Sequence, residues 1–137
     1  MGSDPLTVPD DRRIIESLLQ ALETFLKLRG PIPLRELVIF LHIALDEGNE
    51  AIEYADRLKL HRAAMSKYVH DLADRARTGG PGLGLIEFNS NRYNRKPIFL
   101  TKKGRSVAAA ILRSLRTPYT PLIEQSKAHH NAGPATQ

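Results

Sequence analysis

A chain of 137 residues with 42% hydrophobic and 26% charged side chains is enough for one domain with a modest core, and supplies no reason to expect two. It has no cysteine, which excludes disulfides, thiolate metal sites and a thiol switch; the longest apolar run, residues 37–45, is broken by His42 and is too short to cross a bilayer. The formal charge of +5 is unevenly spread: residues 1–56 hold 5 Lys/Arg against 11 Asp/Glu, net −6, and residues 57–137 hold 15 against 4, net +11, so the second half is suited to an anionic partner such as DNA.

Met1-Gly2-Ser3-Asp4-Pro5 is small and polar and lacks the basic-then-apolar order of a signal peptide, so residues 1–9 are expected to be flexible and outside the fold. Pro9-Asp10-Asp11 signals a helix start with Asp10 as its cap. Ile14, Ile15, Leu18, Leu19, Leu22, Phe25 and Leu26 then recur at helical spacing until Gly30-Pro31 stops the run. This stripe suits either core packing or a dimer seam.

Pro31-Ile32-Pro33 opens a second helix, in which Leu34, Leu37, Val38, Phe40, Leu41, Ile43, Ala44 and Leu45 leave little polar face. It is the expected centre of the core. His42 within it reads as a core histidine, not a ligand or base, Gly48 is the natural stop, and Asn49 is a candidate cap for the next helix.

Residues 51–70 carry the spacing of a helix-turn-helix. With Ala55 as the small residue at the close approach of two short helices, Tyr54, Leu58, Leu60, Met65 and Tyr68 fall where such a motif buries apolar side chains. The first helix is expected over Ala51–Leu58 and the second over residues 62–76, with Lys59 where glycine is usual and His61 where a serine or threonine cap is preferred. Met65, Val69 and Leu72 face inward, which leaves His61, Arg62, Ala63, Ser66, Lys67 and His70 on the outward side as candidate DNA contacts. Arg62 suits guanine O6 and N7, Ser66 either kind of base edge, Ala63 a thymine methyl, and Lys67 a base or phosphate. His61 and His70 are nine residues apart without an acidic or histidine partner, so no metal is assigned.

Gly79-Gly80-Pro81-Gly82-Leu83-Gly84 follows. Gly79 and Gly84 have the separation of a phosphate-binding loop, yet Leu85-Ile86 stands where Lys-Ser/Thr is required and the run precedes a strand, so it reads as a turn. Residues 83–88 and 97–100 read as the strands of a hairpin. Its tip offers Asn91, Arg92, Tyr93, Asn94, Arg95 and Lys96, a basic loop suited to the DNA backbone or minor groove, and Asn91, Arg92, Tyr93, Arg95 and Lys96 are the candidate contacts there.

Taken together, Ile32-Pro33-Leu34, the Tyr54 to Tyr68 motif, Gly82-Leu83-Gly84-Leu85-Ile86 and Leu100-Thr101-Lys102-Lys103-Gly104 resemble the MarR-type winged-helix regulators over about residues 14–115. Leu-Thr-x-x-Gly is the most specific piece, its threonine capping the next helix. The resemblance implies a homodimer on a pseudo-palindromic operator, with one helix in the major groove and the wing beside it. Where the family commonly pairs an aspartate with an arginine in the wing, this chain has Asn91, Asn94, Arg92 and Arg95, and its glycine-rich loop looks more like compact plasmid- or phage-type relatives. No small-molecule effector is assigned.

Residues 101–116 form the last expected helix, with Val107, Ala110, Ile111 and Leu115 on one side. Ile14, Leu18 and Leu22 with Val107, Ile111 and Leu115 are the candidate dimer interface, since neither stripe has another evident partner. Residues 117–137 lose periodicity and read as a flexible tail, in which His129-His130 is discounted as a metal site.

The fold class that results is mainly α with a small β-hairpin, a winged helix-turn-helix over residues 10–116 with dimerisation helices at both ends. No nucleophile elbow, His-Glu-x-x-His or paired-carboxylate constellation points to an enzyme, and no cofactor is called for. The expectation is a sequence-specific, repressor-like regulator of the bacterial cytoplasm, associated with the nucleoid and not with a membrane; a plasmid partition or replication factor coating repeated sites would share the motif and charge.

Overall fold

The computed structural model describes residues 9–75, 79–90 and 93–116. The expected flexible tail with His129 and His130, residues 1–8 of the expected flexible start, and the wing residues Asn91 and Arg92 lie outside the described residues.

Five helices and one hairpin follow in order: α1 (Pro9–Leu26), α2 (Leu34–Leu45), α3 (Ala51–Leu58), α4 (Arg62–Leu72), β1 (Ile86–Phe88), β2 (Ile98–Leu100) and α5 (Lys102–Arg116). This is the expected mainly α winged helix-turn-helix. Asp10 lies inside α1 and is not its cap. α3 is capped by Glu50 and not by Asn49, because Glu50 and Glu53 form a capping box in which the Glu50 N–H donates to Glu53 Oε1 at 3.0 Å.

α2 is the central helix, as its composition required. Ile39, Phe40 and Ile43 are fully buried on one face, and α3, α4, β2 and α5 all pack against it. Phe40 also meets Phe25 of α1 edge-on, ring centroids 5.8 Å apart. His42 is half-buried and not enclosed in the core.

β1 and α4 are both shorter than expected, for a single reason. The N–H groups of Gly82, Leu83, Gly84 and Leu85 donate at 2.7–3.0 Å to the carbonyls of Asp74, Asp71, Ala73 and Leu72. Residues 82–85 are thus spent on the C-terminal end of α4, satisfying carbonyls that a helix end leaves open, and only residues 86–88 remain to pair with β2. The approach is so close that a Cβ on Gly82 would collide with the Ala73 carbonyl oxygen. Leu83 and Leu85 are nevertheless buried, so the apolar alternation that suggested a longer strand reflects real burial without ladder pairing.

The hairpin is antiparallel, with Ile86 opposite Leu100 and Phe88 opposite Ile98. The segment between α2 and α3 runs along its other edge. Gly48 N–H donates to the Ile98 carbonyl at 2.8 Å and Ile98 N–H to the Asn49 carbonyl at 2.9 Å, which ties the wing to the entry of the helix-turn-helix. α5 starts on Thr101, whose hydroxyl donates to the Gly84 carbonyl at 2.6 Å and accepts the Gly104 N–H at 3.0 Å.

Candidate nucleic-acid interface

The turn between α3 and α4 is made by Lys59, which adopts the left-handed conformation (φ 55°) that glycine usually supplies. Leu60 N–H reaches back to the Ala55 carbonyl at 2.9 Å and closes the end of α3. Tyr54, Ala55, Met65, Val69 and Leu72 are buried between the helices, while Leu58, Leu60 and Tyr68 are half-buried at the margin. Tyr54 is braced at both ends: its hydroxyl donates to the Asp46 carbonyl, and the Arg57 guanidinium lies over its ring, 5.5 Å from the centroid. Arg57 and then Asn49 bond the Asp46 carboxylate, holding it below the usual aspartate range. α3 therefore enters α4 at a fixed angle.

On α4 the structure leaves Arg62, Ala63 and Lys67 exposed together on the outward face. His61 caps the helix, its Nδ1 accepting the Ala63 N–H at 3.3 Å. The first turn carries no acidic side chain, so the positive end of the helix dipole is not offset there. Ser66 and His70 are half-buried instead of fully outward. His70 Nδ1 donates to the Ser66 carbonyl at 2.7 Å, and its ring packs on Phe88 of β1 with centroids 5.6 Å apart. Since a carbonyl only accepts, that bond fixes the proton on Nδ1. His70 thus joins the helix to the wing, a role that spacing alone did not suggest.

At the wing tip Tyr93, Asn94, Arg95 and Lys96 are exposed, Tyr93 by 71%. Asn94 takes a left-handed conformation (φ 60°) and Asn89 N–H donates to the Pro97 carbonyl at 2.9 Å, which closes the loop. Glu50 orients it from below, accepting the Lys96 N–H at 3.1 Å and standing 3.9 Å from Arg95 Nε. The acidic residues before α3 are partly spent in this way on holding basic ones in place. Glu47 does the same for α5: burial pushes its carboxyl upward, but the Leu100 N–H at 2.8 Å and the Arg105 guanidinium at 2.9 and 3.0 Å outweigh that and hold it below the usual range.

One polar cluster was missed in the sequence. Arg29, after α1, makes a two-pronged ion pair with Asp71 of α4, with Nη1 to Oδ1 at 3.1 Å, and its Nη2 lies 3.7 Å from Glu36 Oε2. Glu36 is 2% exposed and faces inward with Ile39, Phe40 and Ile43. Its place three, four and seven residues before those apolar positions was the available signal, since a charged residue on a core stripe needs a partner.

The end helices correct the expected dimer surface. Val107 and Ile111 are buried within the chain, where α5 packs on α1, so this part of the α5 stripe does have a partner in the same molecule. Ile14, Leu18 and Leu22 remain exposed, as do Ile15, Leu19, Leu26, Leu112 and Leu115. Between α2 and α5 a groove of about 580 Å³ is lined by Leu41, Leu45, Leu112 and Leu115. Among the described residues no helix is long and apolar enough to cross a membrane, and no three His, Asp or Glu side chains are grouped to hold a metal.

No family model and no curated protein matches the chain in sequence. Solved structures do match in shape. The transcriptional repressor CouR, solved bound to a 23-mer DNA duplex, aligns over 89% of this chain and 77% of its own with a TM-score of 0.54 at 16% identity. A MarR-like transcriptional regulator from Thermotoga maritima aligns over 93% of this chain and 86% of its own, with a TM-score of 0.53 at 18% identity. The fold is that of MarR-type winged helices. RV1404 from Mycobacterium tuberculosis shares it over 99% of this chain and 86% of its own, with a TM-score of 0.54 at 17% identity.

Proposed function

We propose that the chain is a sequence-specific, double-stranded DNA-binding regulator of the MarR type, acting as a homodimer and repressor-like by occupying its operator. The observation that carries this reading is the exposed set Arg62, Ala63 and Lys67 on one face of α4, on the fold shared with a repressor solved on DNA. In this reading α4 enters the major groove, Arg62 and Ser66 meet base edges, and Lys67 and His61 meet base or backbone. The wing, through Tyr93, Arg95 and Lys96 together with Asn91 and Arg92, rests on the adjacent backbone or minor groove. His70 acts from behind the helix by fixing it to the wing.

The homodimer is supported by the exposed apolar side chains of α1, among them Ile14 at 65% and Leu26 at 62%, and by Leu112 and Leu115 of α5. Large apolar side chains exposed along both helices favour cover from water. A second copy supplies it with two-fold symmetry, which a palindromic site then mirrors.

Selection of bound duplexes from a random pool tests the proposal. The expected result is one pair of inverted half-sites with centres roughly 10 base pairs apart, bound more weakly as salt rises. Failure to enrich any sequence would refute sequence-specific binding, and enrichment of iterated direct repeats would replace the repressor with a coating partition factor.

A further inference from the structure

We propose that Glu36, Asp71 and Arg29 form a proton-operated latch beneath the recognition helix, closed when Glu36 is protonated and loosened, with loss of DNA affinity, when it is not. The inference rests on the DNA-binding reading for its consequence, but its geometry does not. Glu36 lies on α2, buried against α4, with its Oε2 atom enclosed and without a hydrogen-bond partner. An ionised carboxylate in that position is costly. Arg29 Nη2 pairs with Asp71 Oδ2 and lies 3.7 Å from Glu36 Oε2, so the two carboxyls meet at one guanidinium, where a protonated Glu36 donates its O–H to Asp71.

The charged groups acting on Glu36 from the elements around α2 are Asp71 and Lys67 of α4 and Arg29 from the segment after α1. Arg57 of α3 and Arg105 of α5 are engaged with Asp46 and Glu47 at the far end of α2, ten residues along. Burial first, then the hydrogen bond and the charge of Asp71, push the Glu36 carboxyl up to about 8, while Arg29 and Lys67 oppose the shift only in part. Asp71 moves the other way, held below the usual aspartate range mainly by Arg29. At neutral pH the trio therefore carries one carboxylate, one guanidinium and one neutral acid.

Above that range a second carboxylate appears beside the first. The shared hydrogen bond is lost, α2 and α4 are pushed apart by like charge, and Lys67, one turn before Asp71, is drawn toward the pair and away from a phosphate. Linkage gives the sign. The stability contributed by protonated Glu36 is complete below the ordinary glutamate range and is lost as pH rises through about 8. The Asp71 contribution is present above the ordinary aspartate range and is lost as pH falls through its lowered value.

The experiment has two arms on the full chain. Carbon NMR of the Glu36 carboxyl, without DNA, should give a midpoint near 8, moving down in Asp71→Asn, which removes the acceptor's charge and frees Arg29 for Glu36. A midpoint in the ordinary glutamate range, or one that Asp71→Asn leaves in place, would overturn the latch. Affinity for the selected duplex should be level from pH 6 to 7 and then fall by up to tenfold per pH unit, the limit for one proton. Glu36→Gln, whose amide still donates to Asp71, should bind as well at pH 7 and remain level. Equal pH profiles for wild type and Glu36→Gln would overturn the coupling, whereas absence of duplex binding at pH 7 with a midpoint near 8 would refute the DNA-binding reading and leave the latch standing.

Discussion

Replacing Gly104 with alanine sets two physical expectations against each other. Gly104 is inside α5, where helix propensity alone favours alanine by about 1 kcal/mol. The structure brings this glycine against the backbone of Leu85, and an added Cβ would collide with the Leu85 carbonyl oxygen, an atom that cannot swing aside as a flexible side chain would. That carbonyl also accepts the Thr101 N–H at 3.0 Å, beside the 2.6 Å bond from the Thr101 hydroxyl to Gly84. Relieving the overlap costs about 1–3 kcal/mol for overpacking, and each strained hydrogen bond about 0.5–1.5 kcal/mol more. After the propensity gain, net destabilisation is about 2–4 kcal/mol, or a fall in Tm on the order of 10 °C for a domain of this size.

Thermal and urea unfolding followed by helix circular dichroism, at fixed protein concentration, measures the effect. Ser106→Ala, at an exposed position of the same helix, is the control and should be neutral or slightly stabilising. A Gly104→Ala protein as stable as wild type, or more so, would refute the close-approach explanation of this glycine and leave the Leu-Thr-x-x-Gly run without its packing reason.

Arg62→Ala should cost about 1–3 kcal/mol in operator binding and relax preference at one base pair, read by fluorescence anisotropy on a set of single-site operator variants; unchanged specificity would remove Arg62 from base readout. Lys59→Gly should raise unfolding stability by about 0.5–1 kcal/mol, because a left-handed backbone strains a residue with a Cβ, and no gain would show that the turn holds no such strain. Leu18→Glu with Leu115→Glu should give a folded monomer by sedimentation, with operator affinity lost. A dimer that survives both would put the seam elsewhere. Val107 and Ile111 are unsuitable for that test, since both are buried in the chain's own core and charging either would damage the fold itself.

Much of the fold was legible because its signals are local. The apolar spacing of residues 34–45, the bounds of α3, the left-handed turn at Lys59, the His61 cap and the Thr101 cap all follow from side chains within a few residues of one another. Features set by distant segments were not legible. The early end of α4 and the short β1 depend on residues 82–85 returning to bond its last carbonyls, and His70 turns toward Phe88, which is 18 positions away. The Arg29–Asp71 pair spans 42 positions.

By itself, the sequence determined the order and type of the elements, the charge reversal inside the helix-turn-helix and the outward places of Arg62, Ala63 and Lys67 on α4, though not those of Ser66 and His70, because periodicity and capping act over one or two turns. Only the tertiary structure decided that Val107 and Ile111 serve the protomer's core and that Glu36 is enclosed beside Asp71. Burial depends on which faces meet, and a stripe of leucines or a lone glutamate reads the same in the chain whether it ends up against its own molecule, a second copy or water.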